Sequence, residues 1–509
     1  MGSSKMMQFL LVMVAGVLLG GVAAQGQTTW YVDDVTDPEE DGSIDHPFDA
    51  IQEGTDASDN EDTVLVLDGT YTGAGNKNLD FNGKAITVRS ASGDPETCII
   101  DCEDDGRGFY FHSGETRTAV VDGLTITKGL VVEDNGGGIC CVGSGPTIIN
   151  CVLSANDAER GSGGGIHSKG GSPLIKDCRF DDCDCTWMHF TGYGGGGVFC
   201  SGGTPEIIGN FFTGCSAHVF CEDGGGAIGF YDTDILIRGN EIVGGYAHGA
   251  GGGIAGHDSQ VDISHNVIAQ CFGFHYGGGL TLWNSSGTVS HNLIIDNETY
   301  DRGGGIYIRG DSNVRIAFCT IVDNAAGTPD YGPFAGGGVY VSSSSETLIH
   351  HCIIWGNTAG EGEQIHVDEP GVATVSYCDV QGGWPGEGMV DDDPLFVDPE
   401  NDDFHLSAAS PCIDTGDPDF VPQPGETDLD GHARVLCEHV DMGAYEFGIG
   451  DYTCDRVVDL TDFASWPACM TGPDAGPYGE GCEAFDFDYD GDVDLFDFAE
   501  FQAAFTGEL

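Results

Sequence analysis

Apolar residues return along the middle of this chain at two nested spacings. The longer one is a run of small residues, nearly always three glycines, closed by an aliphatic residue. Ile139, Ile166, Val198, Ile228, Ile254, Leu280, Ile306 and Val339 close successive copies. Ile254 to Leu280 is a step of 26 residues, Ile306 to Val339 a step of 33, and the other steps lie between these. A period of this size marks a solenoid, whose repeats bury their apolar side only by stacking on one another. The shorter spacing is two. Downstream of each glycine run, stretches such as "LIKDCRF", "DISHNVI", "TVSHNLI" and "RIAFCTI" alternate aliphatic and polar residues around a Cys or Asn. That register residue is Cys151, Cys178, Asn210, Asn240, Asn266, Asn292, Cys319, Cys352 and finally Cys378. Alternation over so few residues predicts strands, and Gly and Asn between them supply the punctuation. The repeat is too short for a four-stranded propeller blade and lacks the Leu spacing of a leucine-rich repeat. It fits one coil of an all-β parallel β-helix with two or three strands per turn. Coils about 4.8 Å apart would set each register residue on its copy in the next coil. Asn would then pass amide hydrogen bonds up the column, and Cys would fill the same small buried slot.

These repeats resemble the right-handed parallel β-helix, or pectate-lyase-like, proteins of bacterial secretomes. "DTVLVLDGTYTG", "NLDFNGKAITVRSASG" and "TCIIDC" (Asp62 to Cys102) look like opening coils of that family. "DPLFVDPENDDFHLSAASPCIDTGDP", "DLDGHARV" and "VDMGAYEF" (Asp393 to Phe447) look like its C-terminal capping region. The resemblance implies a solenoid over residues 28–447, with an N-terminal cap at about 28–60 and a C-terminal cap at about 391–447. It also implies extracellular polysaccharide as partner and, if the protein is an enzyme, a polysaccharide lyase or glycoside hydrolase. The GGGI and N-x-x-x-x-N pattern is similar as well to repeats of polymorphic outer-membrane adhesins, so a non-catalytic adhesin or cell-surface structural protein is the alternative.

Residues 1–24 read as a secretory signal, with Lys5, an apolar run from Phe9 to Leu19 and a Val22-Ala23-Ala24 cleavage site. A retained anchor is the other reading of that run; no later stretch is long and apolar enough to span a bilayer. The mature chain is expected to be secreted or held at the cell surface. Against 17 Lys and Arg stand 83 Asp and Glu, a formal net charge of −66. This argues against nucleic acid, whose phosphates need a basic surface, and disfavours a polyanionic partner unless Ca²⁺ bridges the two. The chain has 20 cysteines, all beyond the signal. On adjacent coils, Cys151 with Cys178 and Cys183 with Cys215 are placed either for disulfides or for a buried reduced stack. Cys412 with Cys437 and Cys469 with Cys482 are the expected disulfides.

The tail carries the sharpest chemical motif. Asp486, Asp488, Asp490, Asp494 and Asp497 occupy positions 1, 3, 5, 9 and 12 of an EF-hand-type loop, with Gly491 at the bend and Asp492 offering its carbonyl at position 7. Ca²⁺ is a hard cation that takes six to eight oxygens, and this spacing folds the carboxylates round one point. Leu495, Phe498, Phe501 and Phe505 follow at helical spacing. An earlier, degenerate copy reads Asp451, Thr453, Asp455, Asp459 and Asp462, with Arg456 in place of the bend glycine. Two such loop-helix units over residues 448–509 resemble a type I dockerin, a small α-helical calcium module. The resemblance implies calcium as cofactor and a cohesin-like or surface protein as docking partner.

No compact Asp/Arg or Asp/His group stands out in the coils, and Asp181 with Asp182 reads as a solvated acidic turn. The period does align an unusual set of loops just before the glycine runs. They bring Trp187, His189, Phe190 and Tyr193; Phe220, Glu222 and Asp223 beside His218; Tyr246 and His248; Phe272, Phe274, His275 and Tyr276; and Tyr300, Asp301 and Arg302. Stacked at coil spacing, these would form a strip of rings among carboxylates and imidazoles. Either a linear polysaccharide lies across it, rings against C–H faces and polar groups on hydroxyls, or the rings pack on one another to hold the loops down. His265, His291 and His351 recur one residue before the register position and read as members of a stacked column rather than metal ligands.

Overall fold

A computed structural model describes residues 27–186, 194–218, 224–327, 334–342, 344–473, 478–479, 482–487 and 491–504. Its strands stack in register into four long parallel sheets of 13, 12, 10 and 8 strands. One coil shows the pattern. Ile254–His257 lies in the 10-stranded sheet, Gln260–Ser264 in the 13-stranded, Val267–Ala269 in the 12-stranded and Phe272–Gly273 in the 8-stranded sheet. The coil therefore has up to four strands, more than the two or three expected. His265 and Gln270, at φ +56° and +55°, turn the chain at two corners, and the fourth strand is only two residues long. The aliphatic residues closing the glycine runs form one column, from Ile139↔Ile166 and Ile166↔Val198 through Ile228↔Ile254 and Ile254↔Leu280 to Ile306↔Val339. All are buried, with Ile263, Ile268 and their copies, in one continuous core.

The register column is a hydrogen-bond ladder. Asn210 donates its main-chain N–H and its Nδ2 to Asn240 Oδ1, both at 2.9 Å. Asn240 does the same to Asn266 Oδ1, and Asn266 to Asn292 Oδ1 at 2.8 and 3.0 Å. A second ladder, Asn297, Asn324 and Asn357, runs at the next corner, and Ser259, Ser285 and Ser312 form a third. Every amide in these columns is paired, so burying it costs little. Cys151, Cys178, Cys183 and Cys215 are buried free thiols, which decides between the two readings in favour of a reduced stack.

At the N-terminal end, helix α1 (Ile51–Ala57) covers the core with Ile51, while Thr29–Val32 already pairs in register with Thr63–Val66. At the other end Trp384 and Met389, just past the last coil, pack on the core. The segment expected to cap this end, residues 391–447, instead runs back along the side of the rod. Phe404, Ala444 and Tyr445 cover Leu293, Ile295 and Val322, and the Ala444 N–H donates to Thr320 Oγ1 at 3.0 Å. The reason lies in the outward residues of the 12-stranded sheet here, which are apolar and need a cover.

The tail folds as α2 (Leu460–Phe463), α3 (Trp466–Cys469) and α4 (Leu495–Ala504) round Val458, Trp466, Phe485, Val493 and Phe501. Cys469–Cys482 forms as expected, with Cα atoms 5.5 Å apart. Cys412–Cys437 does not. Cys437 pairs with Cys454, at a Cα separation of 5.7 Å, and Cys412 stays a buried thiol whose Sγ donates to Asp379 Oδ2 at 3.2 Å. Cys412 turns in toward Asp379 of the last coil whereas Cys437 bonds to Cys454 of the tail, so the bond ties tail to segment.

Candidate functional site

Trp187, His189, Tyr193, Phe220, Glu222 and Asp223 lie outside the described residues, as do Asp488 and Asp490 of the tail. The remaining strip residues divide into two groups. Tyr246, His248, Phe274, His275 and Tyr300 gather with Phe272 beside the 8-stranded sheet. Tyr246 stacks on Phe272 at 5.7 Å and His248 on Phe274 at 4.8 Å, with interplanar angles of 11° and 4°. These partners on successive coils thus face one another along the rod and turn ring edges, not faces, outward; Tyr300, at 78° to Phe272, and His275, at 76° to His248, are exceptions. Tyr276 packs instead against the 10-stranded sheet, stacking on Tyr307 at 4.9 Å, which continues to Tyr340 at 5.2 Å. Tyr307 and Tyr340 are 2% and 1% exposed, Arg302 lies over Tyr340, and Asp301 sits 3.4 Å from Arg302. These contacts match the reading in which the rings hold the coils and loops together. His265, His291, Phe318, His351 and Tyr377 likewise stack in one column, with spacings of 4.6 to 5.7 Å.

One open concavity lies on the 10-stranded sheet, at coils outside the strip. Outward positions of three neighbouring strands meet there. His167 pairs in register with Phe199 and Phe199 with Gly229; Lys169 pairs with Ser201 and Ser201 with Tyr231. Gly229 has no side chain because the Gly194 carbonyl passes over it. A cleft of about 520 Å³ results, lined by His167, Lys169, Phe199, Ser201 and Tyr231 with Asn135, Ser162 and Asp232. His167 and Phe199 stack at 5.5 Å and are 4% and 5% exposed, forming a floor, while Lys169 and Asp232 stand at the rim. Burial pushes the His167 imidazole down to about 4, and the Lys169 ammonium adds to that, so the ring is neutral at pH 7. Lys169 makes no ion pair among the described residues, in a chain that carries 83 acidic side chains. Apolar ring area beside an imidazole, hydroxyls, an amide and one ammonium suits a ligand with C–H faces and many hydroxyls. Sequence reading passed over these residues because their types change from coil to coil; only their place after the glycine run repeats.

Round the corner, on the 8-stranded sheet, Asp157 and Asp184 are in-register neighbours. Burial, then the Asp184 charge beside it, raises Asp157 to about 6, and burial raises Asp184 as well. Asp184 accepts from Ser216 at 2.9 Å and lies 3.8 Å from His218. Asp181, by contrast, is ion-paired with Arg179 at 2.6 Å, and Asp182 is exposed at φ +48°.

In the tail, the two acidic loops share one construction. Asp462 accepts from the N–H groups of Thr453 and Asp459, both at 2.8 Å; Asp497 accepts from those of Phe487 and Asp494, both at 2.7 Å. In the second loop Gly491 bends at φ +85°, and carboxylate oxygens of buried Asp492, Asp494 and Asp497 all lie within 4.8 Å of one another. Asp486 is buried nearby at the loop's start. The Asp492 side chain, rather than only its carbonyl, joins the group. Three desolvated carboxylates this close fit a divalent cation. In the first loop Asp451 accepts from the N–H groups of Asp455 (3.1 Å) and Arg456 (2.6 Å), and Arg456, at φ +68°, turns its guanidinium away to the Ile413 carbonyl and Asp414.

Residues 132–300 and 196–384 match the family model described as a right handed beta helix region. No curated protein matches the chain. Among solved structures, pectate lyase Pel9A aligns over 82% of this chain and 96% of its own at 13% identity and a TM-score of 0.42. XylC in complex with xylose aligns over 72% of this chain and 87% of its own at 10% identity and a TM-score of 0.44. A mannuronic acid specific polysaccharide family 6 lyase from human gut microbiota aligns over 72% and 92% at 14% identity and a TM-score of 0.36. With the strand register described above, the family match identifies residues 132–384 as a right-handed parallel β-helix region.

Proposed function

We propose that this protein is an exported β-helix that binds extracellular polysaccharide in the cleft over His167 and Phe199, and docks through a calcium-loaded tail. The observation that carries the binding reading is the cleft itself: a hollow of about 520 Å³ whose floor is ring and imidazole and whose rim is ammonium, carboxylate and hydroxyl. Hydroxyls on a sugar meet donors and acceptors there, while its C–H face meets Tyr231 and the edge of Phe199. Export rests on the signal-like residues 1–24, and two disulfides in the last quarter of the chain accord with an oxidising compartment. Titration against neutral and uronate oligosaccharides, with a parallel assay for new reducing ends and unsaturated uronates, tests the reading. Binding of at least one oligosaccharide is expected, and silence across the whole panel contradicts it. Chain cleavage would turn attention to Asp157 and Asp184; its absence places the protein with non-catalytic binders, the adhesin-like alternative.

Calcium belongs at the second loop, held by Asp492, Asp494 and Asp497 together with Asp486. It would neutralise their mutual repulsion and fix α4 against Trp466 and Phe485. The docking partner, a cohesin-like or surface protein, follows from the dockerin resemblance alone. Calorimetric titration should find Ca²⁺ binding in the native chain, weakened at least tenfold in Asp497→Asn. Unchanged affinity in that variant would remove the second loop as the site.

A further inference from the structure

The polar floor of the cleft is wired in one direction. The Ser162 main-chain N–H donates to Asn135 Oδ1 at 3.0 Å, which fixes that atom of the amide as oxygen. Ser162 Oγ lies 3.1 Å from the same oxygen, and since Oδ1 has no hydrogen the hydroxyl must be the donor. That uses the only hydrogen on Ser162 Oγ. The oxygen is also 3.0 Å from His167 Nδ1, so it accepts there, and the proton sits on Nδ1. The other nitrogen, Nε2, then carries a bare lone pair. His167 lines the cleft although its ring is 4% exposed and held flat on Phe199. Two residues along the same strand, Lys169 adds a donor on the same outward side.

From this wiring, and resting on the glycan reading above, we propose that His167 is the specificity-determining residue of the cleft. Its Nε2 accepts a hydrogen bond from a sugar hydroxyl, while Lys169 donates to an oxygen beside that hydroxyl. Asn135 and Ser162 act as positioning residues for His167: their hydrogen bonds set its tautomer. The chemistry selected is a free hydroxyl next to an acceptor oxygen. A sugar with that hydroxyl methylated or removed leaves a buried lone pair unpaired and is rejected. An imidazole wired the other way, with Nε2–H, would select an acceptor at the same place instead.

The test uses ¹⁵N-histidine NMR of the full-length protein at pH 7, with the His167 signals assigned by their loss in His167→Gln. Expected is a protonated Nδ1 and an unprotonated Nε2 in the free protein. The Nε2 signal should shift when xylotetraose, mannotetraose or tri-galacturonate is bound, whichever of these probes the cleft takes. Ser162→Ala should release the tautomer, visible as mixed protonation of the two nitrogens, and weaken that probe about fivefold to tenfold, the size expected for one buried hydrogen bond. A free protein with Nε2 protonated overturns the inference. So does a probe that binds while the Nε2 signal stays still, and that result leaves the glycan reading standing. If none of the three probes binds, both fall.

Discussion

Asn266 takes part in five hydrogen bonds from one buried side chain. Its Oδ1 accepts from the N–H and Nδ2 of Asn240; its Nδ2 donates to the carbonyls of Ile237 and Ser264 and to Asn292 Oδ1. Truncation to Ala would leave the Asn240 main-chain N–H without its acceptor and take one of two donors from Asn292 Oδ1, with no water to replace them. Asn266→Ala should therefore lower stability by about 2–4 kcal/mol, combining unpaired polar groups with a small void. Denaturant unfolding measures this, and a loss below about 0.5 kcal/mol would mean the ladder is not the constraint it looks. Asn210 to Asn292 were legible in the sequence because one residue type recurs at one place in the period. His167, Phe199, Gly229 and Ala255 occupy equally strict columns but share no chemistry, so no repeat announced them. Ring orientation was equally hidden, since a list of aromatic residues does not say that in-register stacking turns their faces along the rod.

At the scale of elements, the side segment of residues 391–447 is what the sequence reading misplaced. The Asp393–Phe447 motifs imply a cap over the end, whereas Phe404, Ala444 and Tyr445 lie along the side of the rod. The clue was present: "NLIID", "CTIVD" and "CIIWG" carry aliphatic or aromatic residues on both faces of one strand, the mark of a sheet covered on both sides. Beneath the segment, burial holds His291, His351 and His350 at about 2, 3 and 4, and pushes His265 down too. The segment contacts this column directly: the Thr427 carbonyl lies 3.1 Å from His265 Nε2, and the Asp417 N–H donates to His351 Nε2 at 2.9 Å. Exposed histidine takes up its proton near pH 6.5, so between that value and the depressed native values the open form binds more protons. Stability of the segment then falls as pH drops below about 6.5. His405 has the opposite sign. The Asp430 carboxylate, with Asp403, raises it to about 9, a contribution present below pH 6.5 and lost as pH climbs through about 9. Hydrogen exchange over Phe404–Tyr445 should be slowest between these limits and speed up by pH 5, while the coils before Asn240 change less. Uniform acid sensitivity along the whole rod would contradict this.

Over the whole molecule, a formal charge of −66 acts against compactness, and the ladders and core must hold against it. Screening relieves that repulsion over about 10 Å at 0.1 M salt, so the melting temperature should rise by several degrees between low salt and 0.5 M NaCl. A flat profile would show that the charges are too dispersed to matter. The Cys437–Cys454 bond and the Arg456 contacts join the tail to the side segment and so cross the boundary at residue 447 that the sequence suggested. A pairing between separate units leaves no trace in cysteine spacing, which is why only Cys469–Cys482, within one unit, was read correctly.

Whether sugars are taken in the cleft or along the ring column is settled most directly by titrating two variants with whichever oligosaccharide binds the native chain. Tyr231→Ala removes a cleft wall; Phe274→Ala removes a ring from the column and leaves the cleft intact. The cleft account predicts affinity lost at least tenfold in Tyr231→Ala and kept in Phe274→Ala. The reverse pattern would contradict it and return function to the ring column.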